Sequence, residues 1–358
     1  MRLTLSAIVV LSALAWPGPS LFASAIKQDE DVIFFPTAAR LSADSSHWIV
    51  PIHAWVFERE EESLWRRGAL ETLARSLELD ASAGESEIFK DRARWFLVDN
   101  ERGKRLRVTL SEGSEDLGPS EADGFLNAEV RLRRRAATED SASIWLGYAA
   151  VLPAGDDRVF QGEALLVARE GLSVVSDIDD TIKISQVTDK RALLANTFLK
   201  PFEAVPGMAP AYRRLAEAGA VFHYVSSSPW QLFPALADFM RASAFPRGSF
   251  HLRTFRLKDE SFLDLFKSAQ ATKPPVIEGL LAAYPKREFI LIGDSGEQDP
   301  EIYGALARRH PGRIRHIYVR QVTPYDAERY QAAFAGLPVT LWTVFRDPAV
   351  IAAKSESR

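Results

Sequence analysis

Four short stretches of this 358-residue chain carry side chains that could do chemistry together. The first is Asp177-Ile178-Asp179-Asp180-Thr181, whose crowded carboxylates repel one another unless a cation or proton compensates. The second is Ser226-Ser227-Ser228, a run of hydroxyls that can donate to an anion. The third is Lys273 alone, and the fourth is Gly293-Asp294-Ser295-Gly296-Glu297-Gln298-Asp299. Singly, each has a bland reading: an acidic turn, a helix cap, a surface charge, a polar loop. Jointly they offer carboxylates for a divalent metal and hydroxyl and ammonium donors for an anion. They also leave carboxylates for nucleophilic and acid/base work. Such a set is the equipment of phosphoryl transfer.

These residues can act together only if the chain brings them together. Apolar runs at Leu172–Val175, Val221–Val225, Phe289–Ile292 and Ile314–Val319 have the composition of strands buried on both faces. Val339–Val344 is a possible further strand. Amphipathic helices are expected between them: Ala209–Ala218 closed by Gly219, one led by Ser228 and Pro229 with Phe233, Leu236 and Met240 on a stripe, then Pro275–Tyr284 and Pro300–Arg309. The alternation predicts a parallel sheet, whose strand ends all point one way. Three of the polar stretches follow a strand and Lys273 stands before the helix that leads into one, so all four converge on one edge. Ser226–Ser228 is expected at a helix N-terminus, where amides would join the hydroxyls around an anion.

The preceding half reads differently. Trp48, Val50, Ile52, Ala54 and Val56 alternate with other residues, as do Leu106, Val108 and Leu110, and Leu126, Ala128, Val130 and Leu132. Trp95–Val98 is expected to lead as a strand into a hairpin loop ending at Gly103, and Ile144–Leu152 and Val159–Val167 add two strands. A helix is expected over Leu64–Leu79. Antiparallel strands with one wet face predict a sandwich or barrel. The basic run Arg131–Arg135 falls on the polar side of its alternation and is read as a solvated face. No catalytic constellation is found in this half.

A net charge of −4 gives no sign of a nucleic-acid partner, and the absence of cysteine rules out disulfides and thiolate metal sites. Arg2, a short apolar stretch from Leu3 to Trp16, Pro17-Gly18-Pro19 and Ala23-Ser24-Ala25 together read as a signal peptide cleaved after Ala25, predicting a periplasmic or secreted protein. The expected divisions are a leader over 1–25, a β-rich domain over 26–167, a catalytic domain over 168–345 and a tail over 346–358.

The order of the motifs is also a resemblance. DxDxT after a strand, Ser after the next, a Lys, then GDxxxxD resemble the motifs of the haloacid dehalogenase superfamily of phosphatases. VVSDIDDTIKIS, NTFL, VPGM, FHYVSSSPWQL, FPRGSFHLR and FILIGDSGEQDPEIYG resemble, more closely, the catalytic domain of the actin-patch-associated phosphatidate phosphatases, and HAWVFE, RWFLVDNERGKRLRV and VFQGEALLV their preceding β-rich region. The fold implied is α/β: a haloacid dehalogenase-like Rossmannoid parallel sheet flanked by helices, preceded by a sandwich-like β-rich domain. The resemblance implies Asp177 as nucleophile and Asp179 as general acid and base. It also implies that Mg²⁺ would be held by the Asp177 and Asp294 carboxylates and the Asp179 backbone carbonyl. By the same resemblance Asp299 would support the metal through a water, Ser226, Ser227 and Lys273 would bind the phosphoryl group, and Thr181 would shape the loop. Asp180 has no role on this reading. The expected partner is phosphatidate or another phospholipid at a membrane surface. The leader argues against any actin link. The alternatives are an exported phosphatase for another monoester, and a non-catalytic lipid- or protein-binding module. The gaps between motifs predict an open site without a full cap domain, and the apolar insert Leu193–Phe202 is expected either to dip into a bilayer or to form a short buried helix.

Overall fold

The computed structural model describes residues 23–59, 68, 70, 72, 74, 75, 85–134, 144–255 and 269–351. The leader falls outside them except for residues 23–25. So does most of the helix expected over Leu64–Leu79, of which Gly68, Leu70, Thr72, Ala74 and Arg75 are helical. Among the described residues no helix is long and apolar enough to cross a membrane.

The first half contributes β1 (Glu30–Phe35), β2 (Thr37–Leu41), β3 (His47–Glu58), β4 (Asp99–Asn100), β5 (Arg105–Leu110), β6 (Gly113–Pro119), β7 (Phe125–Arg133), β8 (Ile144–Ala150) and β9 (Gln161–Leu166). They form one folded sheet with the path β1-β3-β2-β9-β8-β5-β6; β4 and β7 also pair with β3. Every pairing is antiparallel except β2 with β9. Val50, Ile52, Ala54 and Val56 of β3 meet Leu106, Val108 and Leu110 of β5 in one core, which makes the sandwich. Arg131 and Arg133 are exposed, as expected of a solvated face.

Two expectations fail here. The outer face of β3 is not wet throughout: Trp55 and Phe57, with Phe35 of β1 and Phe125 of β7, pack into the core of the second half. Trp95–Val98 is no strand. Ser86 caps helix α1 (Glu87–Ala93) by accepting from Phe89 N, and the chain continues as a 3₁₀ turn over Arg94–Phe96. Its apolar residues are explained by the seam they fill, where Phe96 meets Phe198 and Phe255.

The second half is a six-stranded sheet in the order β12 (Gly248–Arg253), β11 (Val221–Pro229), β10 (Gly171–Ser176), β13 (Arg287–Asp294), β14 (Ile314–Arg320), β15 (Trp342–Phe345). All five pairings are parallel. The Val339–Val344 run thus completes the sheet, as a 3₁₀ turn followed by β15. Side chains alternate between two buried faces. Val174, Phe222, Tyr224, Ile290 and Ile292 share a core with the helices α3 (Met208–Glu217) and α4 (Phe233–Ala242). Val175, Phe289, Leu291 and Ile317 share the other with α5 (Ala269–Ala283), α6 (Asp299–Arg309) and α7 (Ala327–Ala333). Helix α2 (Lys190–Phe198) follows the Asp177–Thr181 loop, opened by Asp189 accepting from Arg191 N and Ala192 N.

The insert does not reach toward a bilayer. Phe198 is fully buried against Phe89 and Phe96, and Phe202 packs on Phe239. Its apolar residues belong to the seam between the halves.

Candidate active site

The sheet's direction of growth reverses between β10 and β13, and in open parallel sheets ligands bind beyond the carboxyl ends of the strands at such a reversal. Asp177 follows β10 immediately and its N–H donates to Ile292 O of β13 at 2.9 Å; Asp294 ends β13. Both are essentially inaccessible. One oxygen from each of Asp177, Asp294 and Asp299 lies within 4.8 Å of the others.

Their free oxygens are the telling detail. Asp299 spends its carboxylate on Lys273 Nζ (2.6 Å) and Asp294 N (3.2 Å). Asp294 Oδ1 accepts from Gly296 N at 2.6 Å, while its Oδ2 has no hydrogen-bond partner among the described residues. Neither oxygen of Asp177 has one; Oδ1 stands 2.9 Å from Lys273 Nζ as an ion pair, off the hydrogen-bond direction. Leaving buried carboxylate oxygens bare costs several kcal/mol in order of magnitude. Burial raises the pKa of both Asp177 and Asp294, and neighbouring carboxylates add to it, with Lys273 opposing. Bare, hard oxygens converging from two strand ends suit a small divalent cation. The residues present fit one.

Lys273 is the counterweight. Its ammonium also meets Glu297 at 2.9 Å, so it touches three carboxylates. Burial alone would lower its pKa, but Asp177, Asp299 and Glu297 raise it well above the ordinary value. The sequence placed Lys273 before a helix starting at Pro275; the helix starts at Ala269 and Lys273 lies inside it.

Asp179 is turned into a cage of its own. Its Oδ1 accepts from Lys183 Nζ and Ser185 Oγ, both at 2.7 Å, and its Oδ2 from Ser226 Oγ (3.1 Å) and Ser228 Oγ (2.8 Å). Burial pushes its pKa up, but Lys183 and the hydroxyls outweigh this and hold it at about 2. The serines lie at the end of β11, not at a helix N-terminus, because the strand runs on to Pro229 and a 3₁₀ turn over Trp230–Leu232 precedes α4. Ser226–Ser228 therefore bring no α-helix N-terminus to this site. Ser227 Oγ pairs with Thr272 Oγ1 at 3.1 Å, next to Lys273. Thr181 is fully buried and its hydroxyl has no hydrogen-bond partner among the described residues.

Sequence reasoning missed Lys183 and Ser185, and gave Glu297 and Ser228 no role of their own within the stretches it singled out. Lys183 stood four residues from Asp179 in the same stretch, a signal within reach. It also left Asp180 unexplained. The backbone there is left-handed (φ 54°), and the carboxylate accepts from Ser185 N and Gln186 N (2.8 Å each) and Val187 N (2.6 Å). Asp180 therefore ties the catalytic loop to the segment behind it.

Residues 172–321 match the family described as "Phosphatidate phosphatase APP1, catalytic domain". The chain is 37% identical over 158 residues to Phosphatidate phosphatase APP1 of Saccharomyces cerevisiae (43% of this chain, 26% of that protein). It is 33% identical over 169 residues to an uncharacterized protein of Schizosaccharomyces pombe (46% and 27%). The chain thus spans about a quarter of the length of these curated relatives. A D,D-heptose 1,7-bisphosphate phosphatase from Burkholderia thailandensis aligns over 52% of this chain and 99% of its own at 20% identity, with a TM-score of 0.28, too low to bear on the reaction. Over residues 172–321 the chain is thus similar to the catalytic domain that this family describes.

Proposed function

We propose that this chain is a Mg²⁺-dependent phosphatidate phosphatase, releasing phosphate and diacylglycerol through a phosphoryl group carried on Asp177. The observation that carries the reading is the buried Asp177 carboxylate, which makes no hydrogen bond among the described residues and is ion-paired to Lys273 through one oxygen only, beside Asp294 Oδ2 where the sheet order reverses. Asp177 and Asp294 would hold the cation, which lowers the charge that a phosphate dianion meets on approaching carboxylates. One Asp177 oxygen attacks phosphorus and the bond to the glycerol oxygen breaks. Asp179 gives that oxygen a proton. Water then attacks phosphorus, passes a proton to Asp179 and frees both phosphate and the Asp177 carboxylate. Lys273, Ser226 and Ser227 would donate to the phosphoryl oxygens as their charge grows, in exchange for the carboxylate and hydroxyl partners they hold here. To serve as an acid, Asp179 must exchange the Lys183 and serine contacts that keep it ionised.

The leader pattern supports export as part of the same reading. Mass spectrometry of the mature chain should show residue 26 as its first; retention of Met1 would reject it.

The reaction is tested with purified chain, with and without Mg²⁺, on phosphatidate vesicles and on a panel of soluble phosphomonoesters, beside Asp177→Asn. Phosphate release from phosphatidate should need Mg²⁺ and fall on the order of 10⁴-fold or more in the variant, as when a covalent nucleophile is removed. Faster turnover of a soluble monoester would reassign the substrate. No release from any of them would leave only a binding module.

A further inference from the structure

A buried cation of the N-terminal half, Arg92, reaches the segment that lies behind the Asp177–Thr181 loop. Arg92, in the last turn of α1, is 6% exposed, yet among the described residues no carboxylate pairs with it. Its Nη1 donates instead to Thr197 O (2.5 Å) and lies 3.5 Å from Asn196 O, the carbonyl end of α2, where a positive charge is favoured. Its guanidinium carbon stands 3.7 Å from the centre of the Phe202 ring. Lys183, the residue that holds Asp179, approaches the same ring at 4.7 Å.

From α2 the contacts run to the catalytic loop. Asn196 Nδ2 donates to Ser185 O and to Gln186 Oε1, both at 3.1 Å. Ser185 Oγ donates to Asp179 Oδ1. Phe89 and Phe96 already fill the seam against Phe198, so apolar packing alone would hold the halves together. Burying a guanidinium as well is costly, and what it accomplishes is to fix the end of α2 and the ring beside Lys183.

We propose that Arg92 is a positioning residue for the phosphatase reaction: through α2 and Phe202 it fixes Ser185 and Lys183, which aim Asp179, so the β-rich half is a working part of the catalytic centre. This rests on the function proposed above. Reaction rates are sensitive to such remote placement, a 1 Å shift costing ~10²-fold.

The test uses the full chain with Arg92→Met, Arg92→Lys and, as a stability control in the sandwich core, Val108→Ala. On a soluble phosphomonoester, R92M should lower kcat about tenfold with KM within about twofold, since contacts to substrate are untouched. R92K should recover part of the loss. V108A should lower the melting temperature and leave the kcat of the folded enzyme unchanged. Independently of activity, the amides of Ser185, Gln186 and Val187 should exchange hydrogen faster in R92M, while those of β10 keep parental rates. An active parent whose R92M matches it in kcat and in exchange at 185–187 overturns the role of Arg92. A parent that releases no phosphate overturns the reaction reading, and faster exchange in R92M would then leave only a structural tie.

Discussion

Asp180 occupies a backbone conformation that glycine adopts with little strain, so its side chain must return more than the strain costs. It does so by satisfying three N–H groups at once. Asp180→Gly should relax the backbone but strand those amides, lowering stability in urea unfolding by roughly 3 kcal/mol at about 1 kcal/mol for each lost bond. Asp180→Asn, which keeps one acceptor oxygen, should lose less. A glycine variant as stable as the parent would show that the carboxylate holds nothing. Gly293 makes the opposite demand. A Cβ there would lie 2.1 Å from Asp299 Oδ2, so Gly293→Ala must push Asp299 off Lys273 and the Asp294 amide. Its kcat should fall by about 10² with the fold retained; parental kcat would mean that the placement of Asp299 is immaterial. The approximate whereabouts of Asp177, Asp294 and Lys273 could be read from motif order, because strand ends in a parallel sheet converge. What Asp180 and Gly293 do could not. Both depend on loop geometry that periodicity does not encode.

The candidate site exists because four elements end at one place: β10 and β13 deliver Asp177 and Asp294, α5 delivers Lys273 and α6 opens with Asp299. Lys273 is the charge that makes this convergence tolerable. Lys273→Met should therefore cost about 3–5 kcal/mol in metal-free solution, the range for stripping one partner from a buried charge cluster. Adding Mg²⁺ should shrink that deficit, since a bound cation compensates the same carboxylates. A deficit of equal size with and without Mg²⁺, measured by urea unfolding, would argue against a cation at this site. At this scale the sequence was informative where burial is two-sided, as in β10, β11, β13 and β14, whose apolar runs are unmistakable. It was silent on β12, which reads Gly-Ser-Phe-His-Leu-Arg because its serine and histidine hydroxyl and ring nitrogens bond within a buried polar seam. It misplaced the helix after β11 because Ser228 and Pro229 look like a cap and a first turn, while strand pairing with β12 persists to Pro229.

Between the two halves lies a seam that pairs an aromatic cluster with uncharged histidines. His53 of β3 packs on Phe35, Phe125 and Trp230, and its pKa is driven down to about 3 by burial and then by His251, with Asp123 opposing. Burial lowers His251 to about 4, and it lowers His223 well below the ordinary value, helped by His251 and Arg287. The fold refuses protons that the unfolded chain accepts from about pH 6.5 downward, the ordinary histidine value. The stability that these histidines confer is thus full above that pH and is lost as the pH falls toward 4, at about 1.4 kcal/mol per pH unit for each. Asp177 and Asp294, whose pKa values are raised, act in the opposite sense, because the fold takes up protons there before the unfolded chain does. Mg²⁺ should suppress that opposing contribution, so the acid lability is best read with the cation present. His53→Phe removes one titrating ring and keeps the aromatic packing. Its unfolding free energy should fall less steeply between pH 6.5 and 4.5, by about 1.4 kcal/mol per unit, and an unchanged slope would remove His53 from the account. Because Arg92 reaches α2 across this same seam, acid that loosens it should reduce kcat before the parallel sheet itself unfolds. Activity and far-UV circular dichroism followed together through that pH range would reveal the order; simultaneous loss would show that the halves do not separate first.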